Sequence, residues 1–275
     1  MRISAPGVSA ATVTYALDAG TKSLAVDWSL EKLHHEDPEA VFIAFPFNLD
    51  TPRFTIDLNG IPCSPNDDQL DGAAKDWYPL QRWVDVSDGR HGVTLVPLEA
   101  PLVHLGGITT GKWSRRLEPE GATIMSWALN NHWMVNFKAS QGGRIPLRYR
   151  LTTHAGDADP VAAARFAAEA SVPPIVLRDI APTGARSDSF FSADPRSPVL
   201  ITAKPGEEEG WIALRLQNLS RGKIRSVLTF TKAPEEARLS DPIEHARAAI
   251  ASDGQKVGVD LDPLGIATVL VRFVP

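Results

Sequence analysis

Residues Ser23-Leu24-Ala25-Val26-Asp27-Trp28-Ser29-Leu30 alternate polar and apolar side chains, the period-2 signature of a strand with one buried face. Before them, Val8–Leu17 is largely small and β-branched and ends at a turn, Asp18-Ala19-Gly20. After them, Ala40-Val41-Phe42-Ile43-Ala44-Phe45 is continuously apolar and stopped by Pro46, which predicts a strand buried on both faces. Arg53–Leu58 alternates again before Asn59-Gly60, a strong turn dipeptide. Further strands are expected at 79–86, 92–97, 101–105, 122–129, 132–138 and 146–153. Short strands at this spacing predict a sandwich and not a βαβ unit.

Residues 157–170 break the pattern. Asp159-Pro160 supplies an N-cap and a first-turn proline, strong helix formers follow, and Pro173-Pro174 closes the segment. Strands are then expected at 175–178, 198–203, 210–218, 223–230, 236–239, 256–261 and 266–273. Asp241-Pro242-Ile243-Glu244 reads locally as a helix start, in a β context that can override it. The expected fold is therefore all-β and mainly antiparallel. A larger sandwich occupies 1–156, a helical linker 157–172 and a smaller sandwich 173–275.

Composition narrows the function classes. The chain has 275 residues, 28 Lys+Arg against 33 Asp+Glu, and a net charge of −5, which argues against non-specific binding to nucleic acid or anionic membrane. A single cysteine, Cys63, excludes an internal disulfide framework. No apolar run reaches the ~18 residues that span a bilayer. Met1–Gly7 lacks the apolar core of a signal peptide, so a cytoplasmic location is expected. Six of the seven tryptophans fall between 28 and 133. A surface for a flat, apolar-faced ligand therefore belongs to the first region, unless those rings simply pack its core.

Several motifs dissolve on inspection. Gly106-Gly107-Ile108-Thr109-Thr110-Gly111-Lys112 has phosphate-loop spacing, but Trp113 stands where Ser or Thr must hold magnesium. His34-His35-Glu36-Asp37 offers four ligand types in a row, yet neighbours on a strand point to opposite faces. No Gly-x-Ser-x-Gly elbow is present, and Cys63 between two prolines has no nearby histidine in sequence. Asn218-Leu219-Ser220 is a glycosylation sequon without a leader to give it meaning.

Two polar-aromatic stretches remain, 67–85 and 126–137. Amides, carboxylates and guanidinium beside indole faces suit sugars, whose hydroxyls need paired donors and acceptors. A buried polar network that fixes loops would use the same residues. Asp67, Asp68, Asp71, Asp76 and Asp85 could also furnish the acid/base pair of a glycosidase.

At these residues the sequence resembles the C-terminal region of glycoside hydrolase family 38, the retaining α-mannosidases. The likeness runs through Glu39–Phe47, Asp76–Asp85, Gly92–Leu95, Pro101–Val103, Ser126-Trp127 to Asn136-Phe137, and Ser140–Gly143. It continues at Arg148-Tyr149, Ile212–Ser220 and Leu261–Thr268. The resemblance implies a catalytic α/β barrel preceding this region, carrying the nucleophilic and acid/base aspartates and the zinc ligands. No motif here matches those residues, so the resemblance implies no cofactor in this chain. Pro101–Gly107 lacks the arginine that some members send to the site.

The expected role is a non-catalytic part that supports and partly lines a carbohydrate site, partnered by a catalytic domain and a mannoside-like glycan. Trp77, Arg82, His104, Asn130, Asn131 and His132 are the candidate sugar contacts, tryptophan stacking and the others hydrogen-bonding. A free-standing carbohydrate-binding module and a self-sufficient glycosidase using carboxylates of 67–85 are the rival readings.

Overall fold

A computed structural model describes residues 2–133, 138–178, 189–193 and 199–274. The chain divides into two compact units, Met1–Pro173 and Pro174–Pro275. The first carries β1 (Arg2–Ala5), β2 (Val8–Leu17), β3 (Leu24–Lys32), β4 (Ala40–Phe45), β5 (Arg53–Leu58) and β6 (Ile61–Cys63). Then come β7 (Tyr78–Pro79), β8 (Val84–Ser87), β9 (His91–Pro97), β10 (Leu102–Leu105), β11 (Ile124–Asn130), β12 (Gly143–Ala155) and α1 (Pro160–Ser171). These strands form an eight-stranded sheet, β1-β2-β3-β12-β9-β8-β5-β6, and a four-stranded sheet, β4-β11-β10-β7. The described pairings are antiparallel.

Period-2 burial builds the sandwich. Along β12, Ile145, Leu147, Tyr149 and Leu151 are buried while the residues between them face outward. Register sets Tyr149 opposite Val26 and Leu147 opposite Trp28, so the alternation at 23–30 lands on the core side. Phe45 of the small sheet meets Tyr149 of the large one at 4.9 Å between ring centroids, and Ser126 Oγ lies 3.0 Å from the Tyr149 hydroxyl. Cys63 is enclosed in this core. One expectation is corrected: β4 is not buried on both faces, because Ile43 and Phe45 enter the core while Ala44 is exposed.

Helix α1 starts where the sequence places it, with Asp159 Oδ1 accepting from the N–H groups of Val161 (2.9 Å) and Ala162 (3.2 Å). Its Ala163 and Ala167 pack on Trp83 and Val96, covering the outer side of the large sheet. Among the described residues no helix is long and apolar enough to cross a membrane.

The second unit holds β13 (Phe191–Ala193), β14 (Val199–Pro205), β15 (Trp211–Gln217), β16 (Ile224–Phe230) and β17 (Glu236–Ser240). It continues with β18 (Ala246–Ile250), β19 (Ser252–Asp253), β20 (Lys256–Leu261) and β21 (Ile266–Arg272). The sheets β13-β16-β20-β19 and β14-β15-β21-β17-β18 enclose Leu214, Leu228, Phe230, Val257, Val269 and Val271. The strand expected at 175–178 is not formed. The local helix signal at 241–244 yields a turn, with Asp241 Oδ1 accepting from the N–H groups of Ile243 and His245, both at 3.0 Å. Asn218 of the sequon is buried, its amide donating to the carbonyls of Gly222 (2.7 Å) and Asp262 (2.9 Å). Pairing of β17 with β18 on either side of 241–244 explains why that helix signal gives way to a turn.

Candidate functional site

Strand register decides which aromatic rings meet. In the small sheet, Trp127 stands opposite Phe42, and Met125 stands between Ala44 and His104. Because successive side chains leave a strand on opposite faces, Phe42, His104 and Trp127 share the outer face, while Ile43, Val103 and Ser126 point inward. A register shift between Trp127 and Leu129 inserts one extra residue, so Leu129 returns to the core side opposite Val41.

Trp127 is the hub of the outer cluster. Its ring is 5.7 Å from Phe42 in a stacked arrangement, 5.1 Å from His104, 5.5 Å from Trp77, 6.0 Å from Trp133 and 6.1 Å from His132. Trp77 comes from the segment before β7, and His132 and Trp133 from the segment after β11. Trp127 and His104 form a buried floor, whereas Trp133 is 45% exposed at the rim.

Polar groups of the floor are arranged unequally. The Thr109 N–H donates to His104 Nδ1 at 3.3 Å, which puts the ring proton on Nε2, 3.4 Å from Thr110 Oγ1. Burial pushes the His104 pKa down, so the ring is neutral at pH 7. Thr109 Oγ1 donates to the Asp76 carbonyl at 2.6 Å. The glycine-rich segment is therefore a loop pinned by His104, in which Gly106 has φ 80° and lies against Pro119. Trp127 Nε1 and Asp76 Oδ1 are buried without a hydrogen-bond partner in the structure, an expensive condition for a donor and an acceptor.

Of the residues proposed from sequence, Trp77, His104 and His132 come together here. Asn130 and Asn131 lie at the end of β11 beside a separate cavity. The Asn131 amide is committed to the preceding loop, donating to the carbonyls of His35 (3.1 Å) and Asp37 (2.9 Å) and accepting from the Glu39 N–H (2.5 Å). Arg82 stands elsewhere, beside Asp57, whose burial lifts its pKa to about 6 against the opposing pull of that guanidinium. Phe42, Trp127 and Trp133 join the cluster as well, Phe42 and Trp127 through the β4–β11 register, which the sequence alone does not show. Residues 134–137 of the second polar-aromatic stretch, within the strand expected at 132–138, lie outside the described residues. His34–Asp37 are exposed.

No protein-family model matches the sequence, and no curated protein matches it. Solved structures do. An α-mannosidase from Enterococcus faecalis V583 matches 96% of this chain with a TM-score of 0.71 at 17% identity. Its fold is similar to part of an α-mannosidase. A glycosyl hydrolase family 38 protein from Enterococcus faecalis matches the same share with a TM-score of 0.70, also at 17% identity. The chain spans 29% and 30% of the length of these two proteins. At such identity the likeness is one of fold, and the fold carries the resemblance first drawn from the sequence motifs.

Proposed function

We propose that this chain is the non-catalytic part of an α-mannosidase-like glycoside hydrolase, and that the outer face of its small sheet lines a carbohydrate site. The observation that carries this reading is the aromatic cluster around Trp127, with an exposed Trp133 above an unpartnered indole N–H and the unpartnered Asp76 oxygen. Indole faces accept the C–H side of a pyranose, and isolated buried donors and acceptors suit its hydroxyls. Among the described residues no group of three or more His, Cys, Asp or Glu is placed to hold a metal ion. In this reading the zinc of family 38 belongs to the catalytic domain.

Titration with methyl α-D-mannopyranoside and an α-linked mannobiose tests the proposal. Weak saturable binding is expected, reduced roughly ten-fold in Trp133→Ala and Trp77→Ala, the scale of losing one stacked ring. Unchanged affinity in both variants removes the aromatic face from the site. Tight binding by the isolated chain favours the free-standing carbohydrate-binding module.

A further inference from the structure

A cavity of about 440 Å³ opens at one end of the first sandwich, between the end of β3, the start of β4, the end of β11 and residues 138–141. Val41 and Leu129 give it an apolar wall continuous with the sandwich core. They lie on the core side of the small sheet, whereas the Trp127 cluster lies on the outer side. The rest of the lining is mainly polar, with Lys32, Glu39, Asn130, Lys138, Ser140 and Gln141.

Lys32 is the unusual member. Its side chain is only 4% exposed, its ammonium is ion-paired with Glu39, and it donates to the Leu33 carbonyl at 2.7 Å. An ammonium has three N–H donors, so one is left for a group inside the cavity. The Gly7 turn backs the pair: a Cβ at Gly7 would stand 2.9 Å from Glu39 Oε2. Ser140 Oγ accepts from the His35 N–H at 3.1 Å, which leaves its own O–H to donate. Burying an ion pair costs desolvation that a packed apolar pair avoids, so stability alone does not account for charges in this wall.

We propose that this cavity binds a single hexopyranose through a vicinal diol. Each hydroxyl of such a diol both donates and accepts, matching a carboxylate beside an ammonium. Lys32 and Glu39 neutralise each other, so that pair suits a neutral ligand, and the further cation of the lining, Lys138, is exposed. The Val41–Leu129 wall takes the C–H face of the ring, and the volume falls in the range of small-molecule sites. This inference does not rest on the function proposed above, because it uses none of the aromatic residues.

Calorimetric titration of the whole chain with D-mannose and D-glucose tests it. At least one hexose should bind saturably, with Kd on the order of 1 mM. Gln141→Ala, which alters an exposed residue, and the isosteric Glu39→Gln should each weaken binding roughly five-fold, and Leu129→Trp should abolish it by filling the cavity. Trp133→Ala should leave it unchanged. Absence of saturable binding by both sugars, or affinity unchanged from that of the unsubstituted chain in both Gln141→Ala and Glu39→Gln, overturns the inference. Loss in Trp133→Ala with Gln141→Ala unaffected also overturns it while supporting the outer aromatic site, so the two failures are distinguishable.

Discussion

Asp57 shows how much one neighbour segment can change the meaning of a residue. In Arg53–Leu58 the alternation assigns Asp57 to the water side, opposite Phe54 and Ile56. The strand face is right, but the water is missing. Residues 81–83 lie across it, with the Gln81 N–H donating to the Asp57 carbonyl and the Asp57 N–H to the Trp83 carbonyl. Burial leaves the residue 5% exposed and raises its pKa from 3.8 to about 6, so between those two pH values the native state holds a proton that the unfolded chain has released. Stability contributed by this group is therefore greatest below pH 3.8 and falls as pH rises through 6. Asp57→Asn should stabilise the protein at pH 8 by at most about 3 kcal/mol, with the gain shrinking toward pH 4. Urea unfolding at both pH values checks this; an equal gain at both would deny the titration. Gly106 makes a second prediction at this scale. With φ 80° and Pro119 where a Cβ would go, Gly106→Ala should cost about 2–4 kcal/mol in the same measurement. The sequence shows the glycine but not Pro119, which approaches only after the chain folds.

Elements whose signals are local were legible, and those that depend on a neighbour were not. Helix α1 is specified by its own ends, and Asp159→Ala should destabilise the protein by about 1 kcal/mol through loss of two accepted N–H bonds. Chemical denaturation of that variant checks the value, and a change near zero would mean that the packing of Ala163 and Ala167 on Trp83 alone holds the helix. The turn at 241–244 carries similar capping chemistry with the opposite outcome. There β17 pairs with β18 across it, and Glu244 takes φ 70° with its carboxylate ion-paired to Lys204 at 2.6 Å. Sheet hydrogen bonds and that buried contact outweigh a short helix's propensity. The bulge in β11 is the most consequential illegible feature. Trp127 and Leu129 are two apart and read as one face; the extra residue sends one to the aromatic cluster and the other to the core. Hence the sequence displays Trp77, His104 and His132 as candidates, whereas their common contact with Trp127 is set by the register.

At the scale of the molecule, the all-β architecture follows from period-2 patterning that the two cores confirm, and the remaining choice lies between support and catalysis. A retaining glycosidase needs two carboxylates about 5–5.5 Å apart across an open bond. The carboxylates of 67–85 are placed for other work. Asp85 is 1% exposed, accepting from Thr94 Oγ1 at 2.6 Å and lying 2.8 Å from His154 Nε2, with burial lifting its pKa. Asp71 is paired with Arg115, whose guanidinium holds its carboxyl below the usual range. Asp67 and Asp68 accept from the Ser64 hydroxyl and N–H at 2.9 and 2.7 Å, shaping a turn. Of the carboxylates of 67–85, Asp76 alone adjoins the aromatic cluster, so none of the other four stands there as the partner that either hydrolytic stereochemistry requires. The purified chain should therefore leave the hydrolysis of p-nitrophenyl α-D-mannopyranoside at its rate in buffer, and Asp76→Asn should leave that rate unchanged. In titrations with methyl α-D-mannopyranoside, the same variant should weaken binding roughly five-fold, because the unpartnered oxygen is the acceptor offered to a hydroxyl. Hydrolysis above the buffer rate that Asp76→Asn abolishes would instead make this sandwich an enzyme in its own right.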